Sequence, residues 1–286
     1  LDRLEVIYDR FAPLDPLERT AWLFEQQVTL PKPSSAGWEA MERDVDAARR
    51  QAAQALLAEG GVTFVLALAR LVGTAGYIGK ALYDGGVSES ELNALLEAAL
   101  RSDNDHERDV AHGLIISVFG DRKEPWAASL IAKARERAWG NAALLTILRA
   151  LPARRWIWDQ ATQAGAEIEE GYWRRAPVFW MSEDSEDVAF AIRKLIAVGR
   201  ARHALPLAGR CRKVQLPSDL LVEMLWEAAH QPFEKGGDSN EATMFQHYVG
   251  EILQVLDERG DVDEDTLIKI EWAYLPVLEH SRRPAK

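Results

Sequence analysis

Apolar residues recur along this chain at intervals of three and four, the spacing that places side chains on one face of an α-helix. The clearest example lies between residues 171 and 212, where the spacing is shared by Val188, Ile192, Leu195 and Ile196. Gly199 follows at a position where helix ends favour a left-handed backbone, and a second apolar set begins at Ala201. The pattern predicts a helical hairpin, the unit from which α-solenoids are stacked.

The same spacing predicts helices along most of the chain. Two short helices are expected in residues 1–28, and a long one begins at Trp38 and stops at Gly60-Gly61. Residues 62–71 are continuously apolar and could form a strand, but Ala and Leu in their second half favour a buried helix. Further helices are predicted at 92–100, 109–119, 126–139, 142–151, 154–164, 218–229, 245–256 and from about 265, where Pro276 should kink or end the last helix.

These elements predict an all-α fold. No fixed period of about 34 or 40 residues emerges, so we expect an irregular α-solenoid of tetratricopeptide-like or HEAT-like hairpins. The expected regions are N-terminal helices at 1–60, a central helical-repeat region at 61–213 and an acidic helical region at 214–286, forming one continuous solenoid. The chain starts at Leu1 inside a predicted helix, so we expect it to be part of a longer protein.

Charge is distributed unevenly along the chain. The formal net charge of −11 argues against a general nucleic-acid binder. Residues 131–213 nevertheless carry 15 Lys and Arg against 9 Asp and Glu, whereas residues 1–130 carry 13 against 21 and residues 214–286 carry 6 against 15. A basic middle between two acidic ends indicates one polarised face, although solvated helix surfaces also produce such blocks.

Cysteine content and hydropathy favour a cytoplasmic protein. Cys211 is the single cysteine, which excludes a disulfide framework and a cysteine-based zinc site, and we expect it to be a small buried or half-buried residue. No run of 18 or more apolar residues and no secretory signal is found, so no membrane association is expected.

Three segments resemble known chemical motifs, and each departs from its motif at an essential position. Residues 73–81 lack the first glycine and the final Ser or Thr of a phosphate loop, which favours small residues that let two helices approach closely. Residues 261–265 start like a calcium loop but lack its central glycine, which favours an acidic helix N-terminus. His106 and His112 are six apart instead of four. We therefore predict no catalytic residue, no metal site and no cofactor.

Large aromatic side chains and arginines coincide in one segment. Tryptophan and arginine are the residues enriched at binding hot spots. The candidate partner-binding residues are Arg154, Arg155, Trp156, Trp173, Arg174, Arg175, Trp180, Arg200 and Arg202.

Other interpretations of this segment stay open. Tryptophans can fill gaps between stacked hairpins while arginine stems pack along them, as in a purely structural spacer. Alternatively, single-stranded nucleic acid could stack on the tryptophans beside the arginines, although the acidic flanks disfavour it.

Four segments resemble a known group of proteins: 4–16, 21–24, 171–175 and 270–281. They are similar to parts of the long helical C-terminal region of very large bacterial proteins, several of which are STAND-type antiphage defence proteins. The resemblance implies a sensor or scaffold region, with nucleotide and effector chemistry located elsewhere in the longer protein. The expected function is recognition of another protein, or of other domains of the same polypeptide, without catalysis.

Overall fold

The computed structural model describes residues 13–30, 37–178, 184–209, 215–231 and 239–280, with side chains described over 244–275 in the last range. These ranges contain thirteen α-helices, one short 3-10 helix and no strand, which confirms the all-α prediction. The first six helices are α1 (Pro16–Ala21), α2 (Trp38–Ala69), α3 (Gly76–Asp84), α4 (Glu89–Leu100), α5 (Asp105–Glu136) and α6 (Asn141–Ala150), with the 3-10 helix at Trp22–Phe24. The others are α7 (Arg155–Gln163), α8 (Ala166–Trp173), α9 (Ser185–Ala197), α10 (Ala201–Ala208), α11 (Ser218–His230), α12 (Ser239–Arg259) and α13 (Glu264–His280).

Two of these elements each consist of two helices joined across a kink. In α2 the kink lies at Gly61 (φ 61°, ψ −154°), which agrees with the predicted stop at the glycine pair, and the helix predicted at 62–71 is the second segment. In α5 the segments predicted at 109–119 and 126–139 are separated by a break at Lys123 (φ 58°, ψ −157°), shortly before Pro125. In both cases one residue with non-helical backbone angles separates two helical segments.

The chain divides into two compact units, Leu1–Leu151 and Pro152–Lys286. The predicted boundary after residue 60 falls at the kink of α2, and the first unit ends within the predicted central region. The predicted boundary at residue 213 and the helix predicted before residue 12 lie outside the described residues.

The core of the first unit includes a close crossing of α3 and α5. A Cβ added to Gly79 would lie 2.1 Å from the Val110 carbonyl oxygen and 2.7 Å from the Leu114 nitrogen. A Cβ added to Gly113 would lie 2.0 Å from the Gly76 carbonyl oxygen. Only hydrogen atoms fit between these backbones, which confirms the prediction that small residues in 73–81 allow two helices to approach closely.

A buried arginine holds the 3-10 helix on α2. Arg49 is 7% exposed, and its guanidinium donates to the carbonyl oxygens of Leu23 (2.6 Å) and Glu25 (2.8 Å). The same group lies 4.0 Å from the centroid of the Tyr77 ring. Two carbonyl groups at the end of the 3-10 helix therefore accept hydrogen bonds from an α2 side chain, which attaches the short helix to α2.

The predicted hairpin is present in the second unit as α9 and α10. Gly199 adopts φ 72°, and it donates to the Ile196 carbonyl at 2.9 Å, while Arg200 donates to the Leu195 carbonyl at 2.7 Å. These two bonds form a Schellman motif, which closes the end of α9 and turns the chain into α10. Helix α11 then packs against both α9 and α10.

Helix α13, the last described helix, packs against α11 and α12 through one face. Ile270 and Tyr274 of α13 are each 1% exposed, and the Tyr274 hydroxyl donates to the Leu225 carbonyl of α11 at 2.6 Å. The Tyr274 ring centroid lies 5.7 Å from that of Phe245 in α12. Of the two predicted effects of Pro276, a kink or an end, the end is wrong, because the helix continues past this proline to His280.

Among the described residues, one helix is long and apolar enough to cross a membrane by length and composition alone. This helix is α2, and 28% of its most apolar 18-residue window is buried within the protein. Its backbone is interrupted at Gly61, and its final residues Leu68 and Ala69 are fully buried. Core helices of soluble proteins meet the same criterion, so it is weak evidence for a membrane span.

Candidate functional site

The tryptophan- and arginine-rich segment is built on the short helices α7 and α8. They are joined at Gly165, whose φ of 105° is accessible mainly to glycine. Trp158, near the start of α7, packs against Trp173, the last residue of α8, with ring centroids 5.3 Å apart. This contact shows that the two helices run antiparallel, so the start of α7 and the end of α8 lie at the same end of the hairpin.

The aromatic rings of this segment form a cluster in the core of the second unit. Trp158 stacks on Phe190 of α9 at 5.7 Å, and Trp173 meets the edge of Tyr172 at 5.4 Å. Relative exposure is 0% for Trp158 and Tyr172 and 1% for Trp173. Trp173 therefore cannot act as the predicted binding anchor, because its side chain is buried between α8 and α9.

Trp156 and Trp180 are the other two tryptophans predicted to bind a partner. Trp156 is half-buried and its indole nitrogen is fully covered. Trp180 lies outside the described residues. The most exposed tryptophans of the described chain are elsewhere, at Trp38 (78%), Trp272 (69%) and Trp226 (43%).

The segment contains buried polar atoms without a well-formed hydrogen bond. These are the Nε1 atoms of Trp156, Trp158 and Trp173 and the hydroxyl of Tyr172. Burial raises the pKa of Tyr172 to about 12, and the neighbouring Trp158 indole N–H opposes part of this shift. Because unsatisfied donors of this kind reduce stability, the cluster depends on apolar packing.

Arg154 and Arg155 lie exposed at the start of α7. The guanidinium carbon of Arg155 is 4.2 Å from the centroid of Phe190, so the arginine rests on the edge of the aromatic cluster. Asp159 and Asp187 lie 3.4 and 3.7 Å from its guanidinium. These contacts limit its conformations and leave 48% of the side chain accessible.

Arg174 and Arg175 are exposed directly after α8. The guanidinium of Arg174 donates to the Glu170 carboxylate one turn earlier, with a shortest distance of 2.5 Å, and 63% of its side chain is accessible. Together with the pair at the start of α7, these residues place four exposed arginines at one end of the hairpin.

Arg200 and Arg202 are half-buried and hold backbone groups. Arg200 donates to the carbonyl oxygens of Trp173 (2.8 Å) and Ala176 (3.2 Å), which fixes the chain after α8. Arg202 donates to the Ala228 carbonyl of α11 at 2.9 Å. The structure therefore gives these two predicted binding residues a positioning role in the fold.

The acidic segment that resembles a calcium loop caps a helix. The Asp263 carboxylate accepts from the Thr266 amide at 2.9 Å and from its hydroxyl at 2.7 Å. These hydrogen bonds lower the pKa of Asp263 and confirm the predicted acidic helix N-terminus. His112 is half-buried on α5, and desolvation lowers its pKa. Across the described ranges, no group of three or more His, Cys, Asp or Glu side chains could hold a metal ion.

The comparisons with known proteins identify no related protein. No family model matches the chain, and neither the curated proteins nor the solved structures give a significant match.

Proposed function

We propose that this chain is a non-catalytic recognition and scaffold module of a larger, cytoplasmic bacterial protein. It would be an irregular solenoid of tetratricopeptide-like or HEAT-like hairpins. Its role would be that of the sensor region in a STAND-type antiphage defence system, and its partner another protein or other domains of the same polypeptide. The packing of α9, α10 and α11, in which each helix contacts the next two, supports a repeat-like arrangement.

The observation that carries the proposal is the exposed arginine cluster, defined as Arg154, Arg155, Arg174 and Arg175. The packing of Trp158 on Trp173 brings the two arginine pairs to one end of the α7–α8 hairpin. Arg155 begins α7, and the other three side chains lie within two residues of a helix end, so little backbone entropy is lost on binding. Arginine is also enriched among hot-spot residues because its planar group forms several hydrogen bonds at once.

The same geometry favours a protein over nucleic acid. Sequence-independent binding of single strands requires aromatic faces on which bases can stack. The rings of Trp158 and Trp173 are at most 1% exposed and already pack against one another. Carboxylates of Asp159, Asp187 and Glu170 also lie beside the cluster and would repel phosphates.

A charge-reversal experiment tests this proposal. All four residues of the arginine cluster are changed to Glu, and a control variant carries the same change at exposed arginines of the first unit. The control positions are Arg43, Arg101, Arg135 and Arg137.

Purified wild type and both variants are used to capture proteins from a bacterial lysate, and binding of a single-stranded 30-nucleotide DNA is measured by fluorescence anisotropy. We expect the cluster variant to lose one or more specific proteins that the wild type and the control retain. Equal protein recovery by all three would contradict the proposal. Binding of DNA that only the cluster variant loses would favour the nucleic-acid alternative.

Small-angle scattering tests the solenoid. A compact domain of 286 residues has a radius of gyration of about 19 Å. A stack of hairpins is expected to exceed this value clearly, whereas a measured radius near it would contradict the solenoid arrangement.

A further inference from the structure

The outward face of α13 exposes three large apolar side chains at helical spacing. Ile268 is 43% exposed, Trp272 69% and Leu275 39%. Their positions i, i+4 and i+7 place them on one stripe that extends about 10 Å along the helix axis. The opposite side of the helix holds Ile270 and Tyr274, which are buried against α11 and α12.

This orientation is fixed by contacts on the buried side. The hydrogen bond from the Tyr274 hydroxyl to the Leu225 carbonyl sets the rotation of α13 about its axis. A rotation that covered Trp272 would break this bond and expose Ile270 and Tyr274. The apolar stripe is therefore a stable part of the surface.

The charged residues nearest to the apolar stripe are acidic. With 100° between successive residues, Glu264 and Asp265 fall about 20° and Glu271 about 40° from its edges, while the exposed Lys269 lies about 60° away. Within the described part of the chain, none of these three carboxylates forms an ion pair. The surface therefore combines apolar anchors with neighbouring carboxylates that have no cationic side chain paired with them.

Trp226 of α11 provides an internal comparison. It is 43% exposed and lies on a helix face with exposed Glu223 and Glu227, but its ring packs on His230 with centroids 4.5 Å apart. It has no second large apolar side chain exposed beside it on α11. Among the described residues of the second unit, an exposed tryptophan beside acidic residues thus occurs at Trp226 and Trp272, and of these two Trp272 belongs to an apolar stripe.

We propose that this α13 face, formed by Ile268, Trp272 and Leu275 with the three carboxylates, binds a basic amphipathic helix of a partner protein. Apolar residues at i, i+3 or i+4, and i+7 of the incoming helix would contact the stripe, and flanking Lys or Arg would pair with the carboxylates. The apolar contacts supply most of the affinity, while the charges accelerate association and select against acidic helices.

This site is separate from the arginine cluster and has the opposite charge preference. It shares no residue with that cluster, so loss of binding at one site leaves the other site to be measured. The inference does not depend on the identity of the partner proposed above.

The test uses two synthetic 17-residue peptides with leucine at the same helical positions. One carries lysine at all other positions and the other carries glutamate. Binding to the full chain is measured by isothermal titration calorimetry at low and at physiological salt. We expect the lysine peptide to bind, with weaker binding at higher salt, and the glutamate peptide not to bind.

Variants locate the site. Trp272→Ala is expected to weaken binding of the lysine peptide about tenfold or more, as hot-spot truncations do. The triple variant Glu264→Gln, Asp265→Asn, Glu271→Gln should reduce the salt dependence and the affinity, whereas Trp226→Ala should leave both unchanged. Circular dichroism of each variant checks that the helical content is retained.

Four results would overturn the proposal. The first is absence of lysine-peptide binding, and the second is equal loss in Trp272→Ala and Trp226→Ala, which would indicate non-specific attraction. The third is equal binding of the glutamate peptide. The fourth is a concentration-dependent dimer, or partition into lipid vesicles, that Trp272→Ala abolishes, because the occupant of the face would then be a second copy of the chain or a membrane.

Discussion

The α3–α5 crossing of the first unit and the aromatic cluster of the second bring helices together by opposite means. At the crossing, Gly79 and Gly113 leave no side chain between the two backbones. In the cluster, Trp158, Trp173 and Phe190 fill the space with rings whose centroids are 5.3 to 6.1 Å apart. Stability should therefore fall when a side chain is added at the glycine crossing, and when a side chain is removed from the aromatic cluster.

The largest effect is expected from Trp173→Ala. It removes a fully buried ring and leaves a cavity among α7, α8 and α9, which should lower the free energy of unfolding by about 3–5 kcal/mol. Urea-induced unfolding followed by circular dichroism measures this change. Trp272→Ala is the matched control, since its ring is 69% exposed, and should stay within about 0.5 kcal/mol of wild type. Similar losses in the two variants would remove the distinction between core and surface tryptophans.

A smaller loss is expected from Gly79→Ala at the crossing. The new Cβ would lie 2.1 Å from the Val110 carbonyl oxygen, so α3 and α5 must separate at a cost of about 2–3 kcal/mol. Gly120→Ala in α5 is the control, because its Cβ would meet no atom within 4 Å. That control should gain up to about 1 kcal/mol from the higher helix propensity of alanine. A neutral Gly79→Ala would show that the two helices are not in close contact in solution.

Two tyrosines should respond with opposite signs to the loss of the hydroxyl. Tyr172→Phe removes a buried hydroxyl that lies beside the Trp158 indole without a well-formed hydrogen bond, and should raise the free energy of unfolding by about 1 kcal/mol. Tyr274→Phe removes the hydrogen bond to the Leu225 carbonyl and should lower it by about 1 kcal/mol. Denaturation midpoints at neutral pH measure both. A loss in Tyr172→Phe would mean that its hydroxyl is hydrogen-bonded in solution.

The last predicted difference, similar in size to the two tyrosine effects, appears only at alkaline pH. Burial raises the pKa of Tyr172 to about 12, so the folded state keeps this proton after the unfolded chain has lost it near pH 10.0. The folded state then binds more protons than the unfolded state, and stability decreases as pH rises from 10 towards 12. Relative to wild type, Tyr172→Phe should gain about 1 kcal/mol more at pH 11 than at pH 9. A difference independent of pH would contradict the burial of this hydroxyl.

The fold class and the local ends of helices could be predicted from the sequence. Helical spacing identified the all-α fold, Gly199 identified the turn between α9 and α10, and the small residues near Gly79 identified a close crossing. The glycine pair at 60–61 identified the break between two helices, because glycine readily adopts the positive φ that interrupts helical geometry at Gly61.

The candidate site could be predicted only in part. Composition found the arginines of α7 and α8, but α8 has eight residues, and so few turns do not establish which side of Trp173 faces the core. Arg200 was assigned to binding because its charge is visible in the sequence, whereas its carbonyl acceptors come from a segment 24 to 27 residues earlier. The exposed stripe on α13 was missed because apolar positions predict packing by default, and only the contacts of Tyr274 identify the covered side.

The glycine crossing also has a consequence for how this sequence can diverge. Each alternative to Gly79 or Gly113 places at least one carbon against a backbone atom of the facing helix, and no smaller residue exists to compensate. Two apolar side chains in contact can change together, one becoming larger as the other becomes smaller. The two glycines cannot change in this way. When related sequences are aligned, we expect these two positions to remain glycine while Gly120, in open space on the same helix, varies freely.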